Sequence, residues 1–290
     1  MIVLPATLKT ITAMLIFGSI GLFVRHIDLA SSQIALVRGF IGAIILLFAM
    51  LVLKKSLSLI AWRKNALILF ISGGAIGLNW IFLFEAYHYT TIAVATLTYY
   101  LAPTIVVLAS PIFLKERFTL LKLFCVILSL IGMMLIADIF TGLNSDFGNM
   151  KGVIYGIIAA AFYACVIISN KFLKDISSMD STIAQLLLAS IILLPYVFYE
   201  NNSWSVDISS LLLLLTVGAI HTGFAYLLYF SSLQKLSAQT VALFSYIDPV
   251  TAVILSTVLL AEPMSFMQWI GAILILGSLF ISQIFASKNA

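Results

Sequence analysis

The chain has 290 residues, 63% hydrophobic and 9% charged, with a net charge of +4 and a mean hydropathy of +1.18. Soluble domains are about 45–50% apolar and about 25% charged, and a water-facing surface cannot hide an apolar excess of this size. A soluble enzyme, a nucleic-acid binder and a disordered scaffold are excluded, and the sequence reads as a polytopic membrane protein.

A bilayer-spanning helix needs about 20 mainly apolar residues. Ten runs qualify, at 8–25, 32–53, 65–87, 91–114, 119–138, 151–171, 180–199, 209–232, 238–260 and 265–285. Runs such as Ile41 to Leu53 are continuously apolar, without the period-two alternation of a membrane β-barrel. The first run has no cleavage site and reads as a retained helix. The second carries Arg38, about six residues from its outer end, placed to snorkel, to pair with Asp28 or Glu85, or to attract an anionic group. The third holds Asn79 and Trp80 at mid-membrane, with Glu85 and His88 near the outer surface, where a gating role suits Glu85. The fourth holds Tyr99, Tyr100 and Pro103 and ends near Glu116. Cys125 and Cys165 both lie in apolar runs, so no disulfide framework is implied. Tyr163 lies in the sixth run and His221 at mid-depth in the eighth.

The ninth run carries Tyr246, Asp248 and Pro249. Asp248 lies about ten residues in, or roughly 15 Å at 1.5 Å per residue, which is mid-bilayer. An acid there is expensive and is a functional candidate by default, for an ammonium group or a proton. A proline within a helix frees the carbonyl four residues earlier, here that of Ser245. Asp248 and His221 would form a proton relay if their helices face each other. The tyrosines suit a cavity for small organic molecules, because each ring carries a polar handle. Asn79, Trp80 and Tyr163 are candidate wall residues; Pro103, Pro249, Glu116 and Glu262 are candidate structural or gating positions.

With the N-terminus in the cytoplasm, 12 of the 15 basic residues fall on inner segments. The positive-inside rule then places both termini in the cytoplasm, in a cytoplasmic (inner or plasma) membrane.

Shifting the sequence by 146 residues superposes it on itself. Gly77 meets Gly223, Tyr100 meets Tyr246, Pro103 meets Pro249, Ser110 meets Ser256 and Glu116 meets Glu262. The chain divides into 1–145 and 146–290, five helices each. Five is odd, so the second half enters the membrane upside down. The expected fold is therefore all-α, ten transmembrane helices as two inverted five-helix repeats. Inverted repeats are a signature of secondary transporters with a midplane substrate.

The stretch EAYHYTTIAVATLTYYLAPTIVVLASPIFLKER and its partner LSAQTVALFSYIDPVTAVILSTVLLAEP resemble the EamA family of the drug/metabolite transporter superfamily. Each carries an aromatic-x-x-Pro step and a later Leu-x-Glu, here Tyr100–Pro103 with Leu114–Glu116, and Tyr246–Pro249 with Leu260–Glu262. An Arg in the second helix is common in that family and matches Arg38; the corresponding helix of the second half has Gln185 instead. The resemblance implies a transporter of small metabolites, mostly outward.

The sequence has no HExxH, GxSxG, P-loop or Cys/His cluster, so neither an enzyme nor an ATP-driven pump is read, and no metal or cofactor is expected. The expected activity is alternating-access transport of a small metabolite, amino acids or amine-bearing compounds first, probed at Asp248, Tyr246 and Tyr100. Protons are a candidate coupling ion, the lipid bilayer is the surrounding partner, and a monomer or homodimer suffices. A passive channel and a non-transporting scaffold are the competing classes.

Overall fold

The computed structural model describes residues 5–24, 26–89, 95, 98–117, 119–136, 150–204, 206–260 and 265–288. Among the described residues, regular structure is all helical. The elements are α1 (Ala6–Val24), α2 (Ser31–Val52), α3 (Leu59–Lys64), α4 (Ala66–Tyr89), α5 (Ala102–Leu114) and α6 (Leu120–Ile136). They continue with α7 (Met150–Asn170), α8 (Ser178–Glu200), α9 (Ile208–Leu233), α10 (Ala238–Phe244), α11 (Ile247–Leu260) and α12 (Phe266–Lys288). Six of them, α1, α2, α4, α7, α8 and α9, are long and apolar enough to cross a membrane.

Eight of the ten expected runs end within about three residues of an observed helix terminus. The other two do not form single continuous helices. The ninth divides into α10 and α11 around Ser245 and Tyr246. In the fourth, the chain leaves the helix at Tyr100 and Leu101 before α5 begins, while residues 90–94, 96 and 97 lie outside the described set. The prolines explain both sites. Pro103 and Pro249 occupy the first turns of α5 and α11, where a missing N–H has no intrahelical partner to lose. The Ser245 carbonyl, expected to be free, accepts the Asp248 N–H at 3.3 Å.

Side chains set the other ends. Ser58, Ser177, Asp207 and Ser237 each accept an N–H from the first turn of α3, α8, α9 and α10. Hydrogen bonds from Ser209 and Ser210 hold the Asp207 carboxyl below the usual carboxylate range. Lys115 and Asn201 end α5 and α8 with left-handed backbone, φ 56° and 50°. The short α3, ahead of α4, was not expected from hydropathy.

The two halves pack against each other in matched pairs. α2 crosses α8, and α6 crosses α12. α4 packs on α7 as α9 packs on α1, and α4 on α8 as α9 on α2. The repeated glycines sit in these last two contacts. A Cβ on Gly77 of α4 would lie 2.9 Å from the Ala189 carbonyl of α8. A Cβ on its mate Gly223 would lie 3.2 Å from the Gly42 carbonyl of α2. Small residues let backbones approach where lipid supplies no hydrophobic drive. Beside Gly223, α9 widens to a π-helix over Val217–Phe224, and Thr222 Oγ1 bonds the Val217 carbonyl five residues back at 3.1 Å. Such π turns recur at functional sites.

Glu116, a repeated residue, ties the halves together. Its carboxylate accepts the N–H groups of Ala238, at 2.7 Å, and Gln239, at 3.3 Å, and so caps α10. Its mate Glu262 lies outside the described residues. Glu116→Ala is expected to lose about 0.5–2 kcal/mol, the usual value of a cap. Thermal unfolding in detergent reads this as a lower melting temperature, and an unchanged melting temperature would show that the cap is dispensable.

Candidate functional site

A cavity of about 280 Å³ lies between the halves. Its wall takes Phe17 and Ile20 from α1, Arg38 from α2, and Asn79 and Trp80 from α4. Tyr99 and Tyr100 come from the stretch before α5, Tyr163 from α7, and Tyr226, Tyr229 and Phe230 from α9. Ser245 and Asp248 flank the break before α11.

Asp248 is the second residue of α11, so its carboxylate stands beside the helix N-terminus. Oriented N–H dipoles there favour negative charge, and half-helix termini at a cavity are a transporter device. Tyr100 neighbours the carboxylate in the cavity wall. The Tyr100 ring packs edge-on against Tyr99, with centroids 5.6 Å apart, and Tyr99 stacks on Tyr163 at 5.6 Å. The Tyr163 hydroxyl lies 2.9 Å from that of Tyr229 and 3.3 Å from Ser245 Oγ. One wall is thus a run of aromatic rings, Tyr100, Tyr99 and Tyr163, with the Tyr163 hydroxyl linked to Tyr229 and Ser245.

Arg38 forms the other pole. Its guanidinium sits over the Trp80 ring, 4.9 Å from the centroid, a cation–π arrangement. Tyr226 shares the cavity wall with them. Among the described residues, Arg38 is paired with neither Asp28 nor Glu85, and its Nε has no hydrogen-bond partner. Glu85 instead accepts from the Tyr196 hydroxyl at 2.8 Å, in a group with Glu200, His88 and Ser32 at the ends of α2, α4 and α8.

The structure brings together seven of the expected residues: Asp248, Tyr99, Tyr100, Asn79, Trp80, Tyr163 and Arg38. Asn79 also donates to the Ala159 carbonyl at 2.7 Å, so its amide joins α4 to α7. Tyr246 stands behind the wall. It is fully buried, its ring stacks on Tyr100 at 6.4 Å, and its hydroxyl donates to the Tyr100 carbonyl at 3.3 Å. These two repeat mates therefore touch, and Tyr246 props Tyr100. His221 also lies off the wall, in the π segment. Its Nε2 is 3.0 Å from Ser19 Oγ and its ring 4.7 Å from that of Phe23. None of the described contacts links it to Asp248.

The sequence reading missed Phe17, Tyr226, Tyr229 and Phe230, and named Ser245 only for its carbonyl. Tyr226, Tyr229 and Phe230 follow i, i+3, i+4 spacing, a usable signal for one helix face. Nothing in spacing says that this face meets a cavity rather than a packed neighbour.

Relatives and solved structures agree with this architecture. Residues 4–137 and 150–283 each match the EamA-like transporter family, and the matches begin 146 residues apart. The chain is 29% identical over 287 residues to the uncharacterized transporter YxxF of Bacillus subtilis, covering 96% of this chain and 89% of that one. It is 25% identical over 292 residues to the uncharacterized inner membrane transporter YicL of Salmonella typhimurium, covering 98% and 96%. A solved crystal structure shares the fold, with a TM-score of 0.85 over 97% of this chain and 98% of its own, at 20% identity. With two family matches spanning both halves of an all-helical, multi-pass membrane protein, the chain belongs to the EamA-like transporter family.

Proposed function

We propose that the chain is a secondary transporter that moves a small zwitterionic metabolite, an amino acid first, outward across the cytoplasmic membrane. It works as ten transmembrane helices in two inverted repeats, 1–145 and 146–290, with both termini in the cytoplasm. The observation that carries this reading is the pair of opposite charges in one cavity. Arg38 comes from the first half and Asp248 from the second, with aromatic rings between them. They are not an ion pair: no contact within 4.0 Å joins them among the described residues. Charged groups in a membrane interior are costly unless something satisfies them. A substrate carboxylate at Arg38 and ammonium at Asp248 would satisfy both, and side-chain substituents would pack on the tyrosines. The cavity lies near the lower end of the usual range for small-molecule pockets, which favours a metabolite of amino-acid size. Because each charge belongs to a different half, occupancy would bridge the halves that alternating access rocks. Asp248 is also the candidate proton carrier.

Reconstituted protein should show counterflow of labelled amino acids. Simple amines and simple carboxylic acids, each offering one charge, should compete at least tenfold more weakly. Arg38→Lys keeps the charge but not the planar fork and should weaken amino-acid uptake while sparing amines. Saturable exchange of amines with no preference for amino acids would overturn the zwitterion reading. Non-saturating flux would indicate a channel, and no flux with any compound of the panel a scaffold.

A further inference from the structure

A second concavity, of about 540 Å³, opens on the outer surface of the helix bundle between α4, α5 and α7. It shares no lining residue with the cavity described above. Ile71, Ile105, Ala109, Phe113, Ile168 and Phe172 form most of its wall. Its polar side chains, Cys165 and Ser169, face each other with Sγ and Oγ 3.6 Å apart. The groove therefore offers nothing to a polar metabolite. Along α5 it runs from Ile105 to Phe113, about 12 Å at 1.5 Å per residue. That is close to one leaflet's share of a hydrocarbon core about 30 Å thick.

One end of the groove is basic. Phe113 is followed by Lys115 and Arg117, and Phe172 by Lys174, and all three basic side chains are exposed. The acids at this end are already engaged: Glu116 caps α10, and Asp175 pairs with Lys64 at 2.5 Å. Lys171 is engaged too, donating to the Leu236 carbonyl. The repeat does not reproduce the opening. Ala164 lines the groove, but its mate Gly18 is pressed against α11, where an added Cβ would lie 2.6 Å from Thr251 Cβ. The groove thus has no copy at the repeat-related position, and it lies in one leaflet.

We propose that this groove binds an anionic phospholipid, with one acyl chain along α5 and α7 and the phosphate at Lys115, Arg117 and Lys174. An acyl chain matches the groove's length and apolar wall. A net negative headgroup matches the basic end, whereas a zwitterionic headgroup brings its own cation. The inference requires that the chain lie in a bilayer and is independent of which metabolite it carries.

Native mass spectrometry of the full chain, titrated with phosphatidylglycerol or phosphatidylcholine, tests it. The wild type should bind phosphatidylglycerol about tenfold more tightly. Ala109→Trp should fill the groove and abolish the tightest binding event. Should that variant fail to fold, the double change Lys115→Gln/Arg117→Gln still decides the matter. It should remove the preference, since two basic side chains near the headgroup are worth about that factor or more. Lys54→Gln/Lys55→Gln, at the end of α2, should leave it intact. Equal affinity for the two lipids, or a preference that survives the Lys115/Arg117 change, would overturn the proposal.

Discussion

Asp248→Asn is expected to reduce transport to the level of empty membranes while the protein stays folded. The amide has nearly the same shape, so the cavity wall should keep its packing. What disappears is the negative charge at the head of α11, and with it the proposed partner for an ammonium group and the proposed proton carrier. A hydrogen bond to a charged group is worth about 1.5–3 kcal/mol, or roughly 10- to 150-fold in affinity. Losing the proposed coupling proton would reduce flux further. The measurement compares metabolites released into the medium by cells with the wild type, the variant and an empty vector, matched for membrane abundance. Release equal to wild type would show that Asp248 only caps α11.

Gly18→Ala should impair the same step from outside the cavity. Gly18 lies on α1, and a Cβ there would fall 2.5 Å from the Asp248 carbonyl oxygen and 2.6 Å from Thr251 Cβ. Neither atom is the end of a flexible side chain, so α1 and α11 must separate. Overpacking of this kind costs about 1–3 kcal/mol. It also moves the residue that carries the cavity's carboxylate. The variant should melt lower in detergent and lose most of its transport. Gly21→Ala is the control, since a Cβ there meets nothing within 4 Å. Equal melting and transport for Gly18→Ala and wild type would show that the helix contact is slack and that the position of Asp248 does not depend on it.

Much of this was legible in the residues. Continuous apolar runs located most helix ends, because a lipid-facing helix advertises its span in composition alone. The 146-residue repeat is confirmed by two family matches at the same offset. Asp248, Arg38 and the tyrosines stood out because polar groups in an apolar run must be satisfied by something. Their partners did not stand out. Arg38 was read as placed to snorkel, to pair with a carboxylate or to attract an anionic group, and which neighbour it meets came only from the fold: it lies on Trp80 and lines the cavity. Tyr246 and Tyr100 were given equal places in the wall, yet one supports the other. Pro249 was read as freeing a carbonyl within a continuous helix, yet it and Pro103 lie in the first turns of new helices.

By itself, the sequence determined the environment, the helical class and the duplication, since each follows from composition and periodicity along one chain. Which charges share a cavity was decided only by tertiary structure. Arg38 and Asp248 are separated by more than two hundred residues and belong to different halves. Only the crossing of those halves brings them to one space, and that crossing rests on long-range contacts, such as Gly18 on Thr251 and Gly77 on Ala189, that no local pattern encodes.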